Sequence, residues 1–523
     1  MQNILKFFTK NYIRIIMLFI VIALFFLFRY MFSFSFIYHD DLWYATLNNN
    51  NSLFFMSENG NHIASFLNRL FGSYIPLKTG MHPSAFKGEY FSYIQSGIFL
   101  IFIYFLSKLF FIKRKRNYMF PLYFLFAGAV FFLCFTAKPY LFFNYDGIFR
   151  VTMPVFFFSV FMYYFLKSLE EYTTKNILLA SIFSLLCCIN SEMLSVTIPC
   201  GCTLYIIISL INKKEIPKTY IIAIICSLTG ILIMALSGTY MRKSSEFSYF
   251  SSIITNLKDF SADYIKYVFL NHIIEFSLII LQSVILFIKL PDKKIVKDYN
   301  ITIYSFIFGI LCFFASLIVL GKTFYGGESF WVEHPDLKAS FSSLLWIFNF
   351  VLLNLILRFN LVKEYIATII ISILLVITAI YDVKIYKHYV FNDLFYKRIS
   401  FYKIEKAIRL AELQNKPALL NKETLNNSIY YYNSFISTSG PVKKEPKFSA
   451  DMENKIIKEV PFCKFYSHFE VICSQGIIFT DEKTALNNFT EHGGTVSVNE
   501  IRNPKFEKLR DNNFVLGKKK TAI

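Results

Sequence analysis

The sequence predicts an α-helical polytopic membrane protein with a small polar C-terminal domain, and three observations lead there. Of 523 residues, 55% are hydrophobic and 17% charged, whereas soluble domains carry about 25% charged residues. Apolar runs recur until about Tyr381, and most are close to the roughly 20 helical residues that cross a hydrocarbon core of about 30 Å. Beyond that point the chain turns polar and mixes helical with strand-like patterns. The formal charge of +19 is explained by lysines and arginines kept on cytoplasmic loops, so no nucleic-acid partner is expected.

The spans are expected near 12–36, 92–112, 118–137, 151–167, 177–190, 193–211, 219–237, 272–290, 301–321, 340–358 and 365–382. Lys6, Lys10 and Arg14 precede the first run, but it is too long for a signal peptide and no small-residue cleavage site follows. The stretch 177–211 is the ambiguous one. As a single helix it would rise about 52 Å, too far for one crossing, and as two it is slightly short. Lys175 before it and Lys213 and Lys214 after it place both ends on the cytoplasmic side. Asn190, Ser191 and Glu192 then form the outer turn of a hairpin.

With that parity the short basic segments at 113–116, 167–175, 213–218, 289–297 and 358–363 lie inside. The segments at about 37–90, 138–150, 190–192, 238–271 and 322–339 lie outside, as does everything after about 383. Eleven spans follow, with residues 1–382 forming the membrane domain and 383–523 a C-terminal domain beyond the outer face. In that tail, residues 395–414 have helical periodicity, and "FEVICSQGIIFT" and "GTVSVNE" read as strands, which suits a small α/β or α+β domain. Seven of nine cysteines sit in apolar segments and behave as small hydrophobes. Cys463 and Cys473 are in the tail; outside a bacterial inner membrane they can close a disulfide loop, and otherwise they are two unrelated thiols. No zinc-type spacing, phosphate loop, nucleotide fingerprint or internal repeat is present.

Residues that can carry chemistry cluster in the outer segments. Asp40 and Asp41 follow the first span directly, flanked by His39, Trp43 and Tyr44. A helix ending near Ile37 would put both acids at the end that its dipole reserves for cations. Adjacent carboxylates can abstract a hydroxyl proton, one raising the pKa of the other, or hold a divalent cation through oxygen ligands. The following stretch, 52–77, suits a helix in the interface with Asn61, His62, Asn68 and Arg69 facing water. Cations on outer loops run against the inside-positive bias: Lys138, Arg150, Arg242, Lys243, Lys322 and Lys338. Each can snorkel at the interface or bind a lipid phosphate. Glu192 is a loop charge or a polar group in an outward cavity, and Asp146, before Gly147, reads as a turn. Trp331, among Glu328, Glu333 and His334, can stack on a sugar or simply belong to a loop.

The arrangement resembles the GT-C superfamily of integral-membrane glycosyltransferases, and within it the bacterial O-antigen serotype-converting glucosyltransferases. The residues carrying the resemblance are "HDDLWYA" (39–45), "NGNHIASFLNRLFG" (59–72), "NSE" (190–192) and "GTYMRKS" (238–244). The resemblance implies a polyprenyl-phosphate-linked sugar donor, a hexose such as glucose, and transfer to O-antigen or a similar surface glycan on the periplasmic face. It implies Asp41 or Asp40 as general base and Arg242 on the donor phosphate, with Lys138, Arg150 and Lys338 as further phosphate candidates. His39, Trp43, Arg69, Glu192 and Trp331 would contact substrate. No cofactor is required, although a divalent cation is compatible with the acid pair. A donor-flipping membrane protein and a donor-synthesising transferase would be partners. The alternatives are a transporter or flippase for lipid-linked glycans, or an O-antigen polymerase or ligase. A flippase would carry charges at mid-span on several helices, where this sequence has almost none.

Overall fold

The computed structural model describes residues 2–35, 62–79, 81, 86–114, 118–145, 147–235, 270–291, 293–319 and 335–420, with the strand backbones at 456–457, 477–479 and 496–497. The chain is an α-helical membrane protein: among the described residues seven helices are long and apolar enough to cross a bilayer, and three shorter apolar ones accompany them.

The helices run α1 Gln2–Phe32, α2 His62–Arg69, α3 Ser92–Lys108, α4 Phe120–Cys134, α5 Met153–Glu170, α6 Thr174–Asn190 and α7 Glu192–Ile211. They continue as α8 Lys218–Ala235, α9 Ile273–Lys289, α10 Lys294–Val319, α11 Pro335–Arg358, α12 Glu364–His388 and α13 Phe395–Leu413. Local sequence sets their ends. Pro121 and Pro154 occupy the first turns of α4 and α5, where a missing N–H costs nothing. Thr173 caps α6 by accepting from the Asn176 amide at 3.3 Å, and Ser191 caps α7 through Leu194 N at 3.4 Å. Ser191 is extended (φ −149°), so the stretch 177–211 does divide at the polar triplet. Lys213 and Asn360 take positive φ just past α7 and α11. Behind them Lys214 N bonds Ser209 O at 2.8 Å and Leu361 N bonds Ile356 O at 3.0 Å, closing each helix on itself.

The first helix departs from expectation. It ends at Phe32 rather than near Ile37, and Ser33–Phe34 form a turn in which the Ser33 amide bonds Arg29 O and its hydroxyl bonds Tyr30 O. Asp40 is therefore eight residues past the helix. A dipole acts only within the last turn, so the helix-end argument for the acid pair fails.

At the centre stands α11, with 83% of its most apolar stretch buried, against 11% for α1 and 17% for α12 at the rim. Phenylalanine fills much of the interior, as in the edge-to-face pair Phe102–Phe131 at 4.3 Å and the tilted pair Phe110–Phe350 at 4.4 Å. Elsewhere small residues let backbones approach, the usual basis of helix association in lipid. A Cβ on Gly309 of α10 would lie 2.2 Å from the Thr197 carbonyl oxygen of α7, and one on Gly201 would meet the Phe306 ring at 2.6 Å. Hydroxyl pairs add interhelical bonds: Tyr220 to Thr302 at 2.6 Å, Ser184 to Ser227 at 3.0 Å and Ser168 to Thr219 at 3.1 Å.

Following α13, the strands β1 Ala418–Leu420, β2 Ile456–Ile457, β3 Ile477–Phe479 and β4 Val496–Ser497 form a mixed sheet in the order β2-β3-β1-β4. β1 is parallel to β3 and β4, and β2 is antiparallel to β3. β3 and β4 lie within the two runs that read as strands.

Because the α7–α10 crossing has no room for a side chain at Gly309, Gly309→Ala is expected to destabilise the bundle by about 1–3 kcal/mol. Thermal unfolding in detergent, followed by intrinsic fluorescence, measures it, and an unchanged midpoint would refute the close crossing.

Candidate functional site

The bundle has two chemically different ends. At one, four ion pairs tie neighbouring segments. Arg114 meets Glu364 at 3.1 Å, and Arg358 meets Glu170 at 2.6 Å. Lys214 meets Asp298 at 3.4 Å, and Lys113 pairs with Glu171. Tyr118 also donates to Glu364 at 2.7 Å, and Tyr299 to Glu170 at 2.6 Å. The hydrogen bond from Lys113 holds the exposed Glu171 carboxyl below the usual carboxylate range. Among the described residues, each of these ion pairs joins segments for which the sequence predicts the same, cytoplasmic side. Here the cations are engaged in structure.

At the opposite end a second, smaller core forms beneath the loops. Ala64 of α2, Phe86, Phe91, Tyr145, Ile148 and Phe149 are all buried there. Phe91 meets Tyr145 at 4.7 Å, and Phe71 stacks on Phe149 at 5.8 Å. Three wide π-helical turns, Leu70–Tyr74, Lys87–Phe91 and Gly147–Thr152, carry most of these rings. Such turns occur often at functional sites because they re-aim side chains. At Gly147 a Cβ would fall 2.2 Å from the Leu141 carbonyl oxygen, and its amide donates to Asn144 Oδ1 at 2.7 Å. That position admits only glycine.

Asn190 binds this end together. Its Oδ1 accepts from the Ala64 amide at 2.9 Å and its Nδ2 donates to the Phe149 carbonyl at 2.9 Å. Ala64 lies in the first turn of α2, where amides have no intrahelical acceptor, so a side chain from α6 caps a helix distant in sequence. Three of the expected site residues sit on the segments thus joined: Arg69 ends α2, Arg150 follows Phe149, and Glu192 follows Asn190 by two. Arg150 is exposed, while Arg69 and Glu192 are half-buried. Glu192 also has a structural reason for its place, in the first turn of α7, where the helix dipole favours an acid.

One expectation is corrected. Asn68 does not face water; it is fully buried, because α2 packs on the small core through Ala64 and Leu67. Arg69 is only partly accessible, with its Nε buried and without a hydrogen-bond partner among the described residues. Lys138 sits at the start of the short 3-10 turn Pro139–Phe142. Lys338 lies at the α9–α11 contact, where its ammonium donates to Asn271 Oδ1 at 3.0 Å. His39, Asp40, Asp41, Trp43, Arg242, Trp331, Cys463 and Cys473 fall outside the described residues, as do Asn61, Asp146, Lys243 and Lys322.

Several polar residues were not singled out from sequence. Lys87 is fully buried, its ammonium 4.8 Å from the centre of the Tyr145 ring; a desolvated cation on an aromatic face gains about 2 kcal/mol or more. His272 is buried against the Phe341 ring and 3.7 Å from Glu275, whose carboxylate accepts from Ser342 Oγ at 2.6 Å. Arg398 of α13 is fully buried and donates to the Ser33 carbonyl at 3.0 Å, while Phe34 packs edge-on against Phe391 at 5.7 Å. Lysine 87 carries a signal in the sequence, a cation opening an apolar span on the side opposite the basic loops. For Arg398 no signal exists, since an arginine in a polar helix reads as solvated. Among the described residues no three His, Cys, Asp or Glu side chains gather as metal ligands.

Compared with known proteins, the chain matches no family model, no curated protein and no solved structure.

The Asn190 carboxamide predicts a directional result. Asn190→Asp keeps the acceptor for Ala64 but loses the donor to Phe149, and Asn190→Ala loses both. Each buried group left unpaired costs about 1–3 kcal/mol, so Asn190→Ala should unfold earlier than Asn190→Asp. It should also expose 62–79 to protease first, and equal, wild-type-like cleavage of both variants would contradict the bridge.

Proposed function

We propose that the protein is a glycosyltransferase that moves a sugar from a polyprenyl-phosphate donor to a surface glycan on the periplasmic face of a bacterial inner membrane. The observation that carries this reading is the bridge from Asn190 to Ala64 and Phe149, which ties together the segments bearing Arg69 and Arg150. Asp40 and Asp41 follow the buried Ser35 by five and six residues, so covalent geometry keeps them within roughly 18–22 Å of it. Ser33, two residues earlier, is held by Arg398. An acid to take the acceptor's proton and cations to receive the departing phosphate are the two charges this transfer must supply. The donor arrives already activated, which suits a chain without a nucleotide fingerprint.

In this reading Asp41 or Asp40 is the base, and Arg242 with Arg150 meets the phosphate. Lys138 and Lys338 are further phosphate candidates, and His39, Trp43, Arg69, Glu192 and Trp331 contact the sugars. Eleven spans place the N-terminus inside and the sheet-bearing tail outside, where Cys463 and Cys473 can pair. The ion pairs between 113 and 171, 114 and 364, 170 and 358, and 214 and 298 support that parity, because residues in contact lie on one side of the membrane.

Asp40→Asn and Asp41→Asn, expressed separately, test the base. Mass spectrometry of the surface glycan should show one variant losing transfer by about 10²–10⁴-fold, and full modification by both removes the assignment. An alkaline-phosphatase fusion at the C-terminus should be active; a dark phosphatase and a bright cytoplasmic-type fluorescent fusion would overturn the span count.

A further inference from the structure

Residues Glu364 to Leu413 form one unbroken helical rod. α12 ends at His388, the π-helical turn Tyr389–Leu394 follows, and α13 starts at Phe395. Both joints keep helical dihedrals, with φ −60° and ψ −48° at Tyr389 and φ −68° and ψ −41° at Leu394. The rod is roughly 70 Å long. Its first half packs mainly on α4 at the rim of the bundle, and its last part packs on β1 and β4 of the tail sheet. The sheet is thus attached through continuous helix and needs no further bond to stay attached.

A further bond is made all the same. Arg398, near the start of α13, is fully buried, and a guanidinium gives up much of its hydration there. Its Nη1 donates at 3.0 Å to the carbonyl of Ser33, the first residue after α1. Carbonyls at a helix C-terminus have no intrahelical donor, and the dipole favours a cation beside them. The cation at the end of α1 therefore comes from 365 residues away, on the C-terminal side of the rod.

Ring contacts extend this junction. Phe34 meets Phe391 at 5.7 Å, Phe32 meets Phe143 at 5.6 Å, and Phe143 meets Tyr389 at 5.3 Å. The π-helical turn, through Tyr389 and Phe391, thus touches the root of the first outer segment and the segment that leads through Gly147 to Arg150. Ser33, Phe34 and Ser35 are all buried here. Because its acceptor is a main-chain carbonyl, Arg398 fixes backbone. Asp40 and Asp41 leave that backbone seven and eight residues later.

On the glycosyltransferase reading, we propose that Arg398 is a positioning residue for sugar transfer. From the C-terminal domain it clamps the root of the first outer segment, and that domain is thereby a working part of the transfer site. Arg398 acts through the backbone at Ser33 and not on sugar or phosphate.

The test compares full-length wild type with Arg398→Lys and Arg398→Met. Lysine keeps a cationic donor for the Ser33 carbonyl, whereas methionine keeps only apolar length. Hydrogen exchange in detergent, read on peptides covering 30–36, should speed up about tenfold in Arg398→Met, the loss of one charge-assisted hydrogen bond. Arg398→Lys should exchange there like wild type, and α11 peptides should be unchanged in both. The rate of surface-glycan modification after induction, read by mass spectrometry per monodisperse molecule, should fall about 10²-fold in Arg398→Met and recover in Arg398→Lys. A residue that only stabilised the fold would lower the yield of monodisperse protein and leave transfer per folded molecule unchanged. Unchanged exchange at 30–36, wild-type transfer per folded molecule in Arg398→Met, or a loss that Arg398→Lys does not recover would overturn the proposal. Exchange is read without any sugar transfer. Loss in Arg398→Met beside full transfer by both aspartate variants would remove the base and keep the clamp, and the reverse result would remove the clamp alone.

Discussion

The loop end of the molecule depends on the two hydrogen bonds of the Asn190 carboxamide. A short helix such as α2 cannot satisfy its first amides internally, and at a bilayer boundary water is an uncertain substitute. Asn190 supplies the acceptor to Ala64 and in the same plane a donor to Phe149. One side chain thereby fixes the first loop to the segment between α4 and α5. The α6–α7 break at Ser191 is what puts that carboxamide at the end of a helix, pointing out of the bundle into the loops.

The opposite end is built on another principle. Arg114, Arg358, Lys113 and Lys214 each meet a carboxylate across a gap between segments. Exposed pairs of this type contribute little individually, but Glu170 is nearly buried and accepts from both Arg358 and Tyr299. The same residue types therefore have two meanings in this chain. At the basic end lysines and arginines close the bundle, and at the loop end they sit among aromatic rings and capped turns.

Much of the bundle was readable from hydropathy because the membrane imposes a length on each helix. The division of 177–211 came from charge on its flanks, and the structure breaks at Ser191, where the polar triplet lies. The interfacial helix was also readable in its place, since α2 and the turns after it cover 62–79. Its orientation was not. Asn68 is polar and reads as water-facing, yet it is buried, because its helix packs on the small aromatic core. Lys87, Glu275 and Arg398 escaped for the same reason: composition records that a residue is polar, while its partner lies tens or hundreds of residues away. Phe32 ended the first helix earlier than hydropathy suggested, because Ser33 turns back onto Arg29 and Tyr30, a local preference that an apolar average does not register.

The distribution of buried charge bears on chemistry against transport. Carrying a charged glycan head across the bilayer needs polar groups along a path through the middle of the bundle, since each bare charge at mid-membrane is expensive. The helix interiors here are instead closed by phenylalanine and by close contacts such as Gly309 on Thr197. Among the described residues, the buried lysine, histidine, aspartate and arginine, Lys87, His272, Asp382 and Arg398, take no part in the ion pairs of the basic end. A conduit would have to pull apart a centre in which the most apolar stretch of α11 is 83% buried. A reaction at one face requires only that the loops be held and the charges be local, which is what Asn190, the small aromatic core and the Arg398 contact provide.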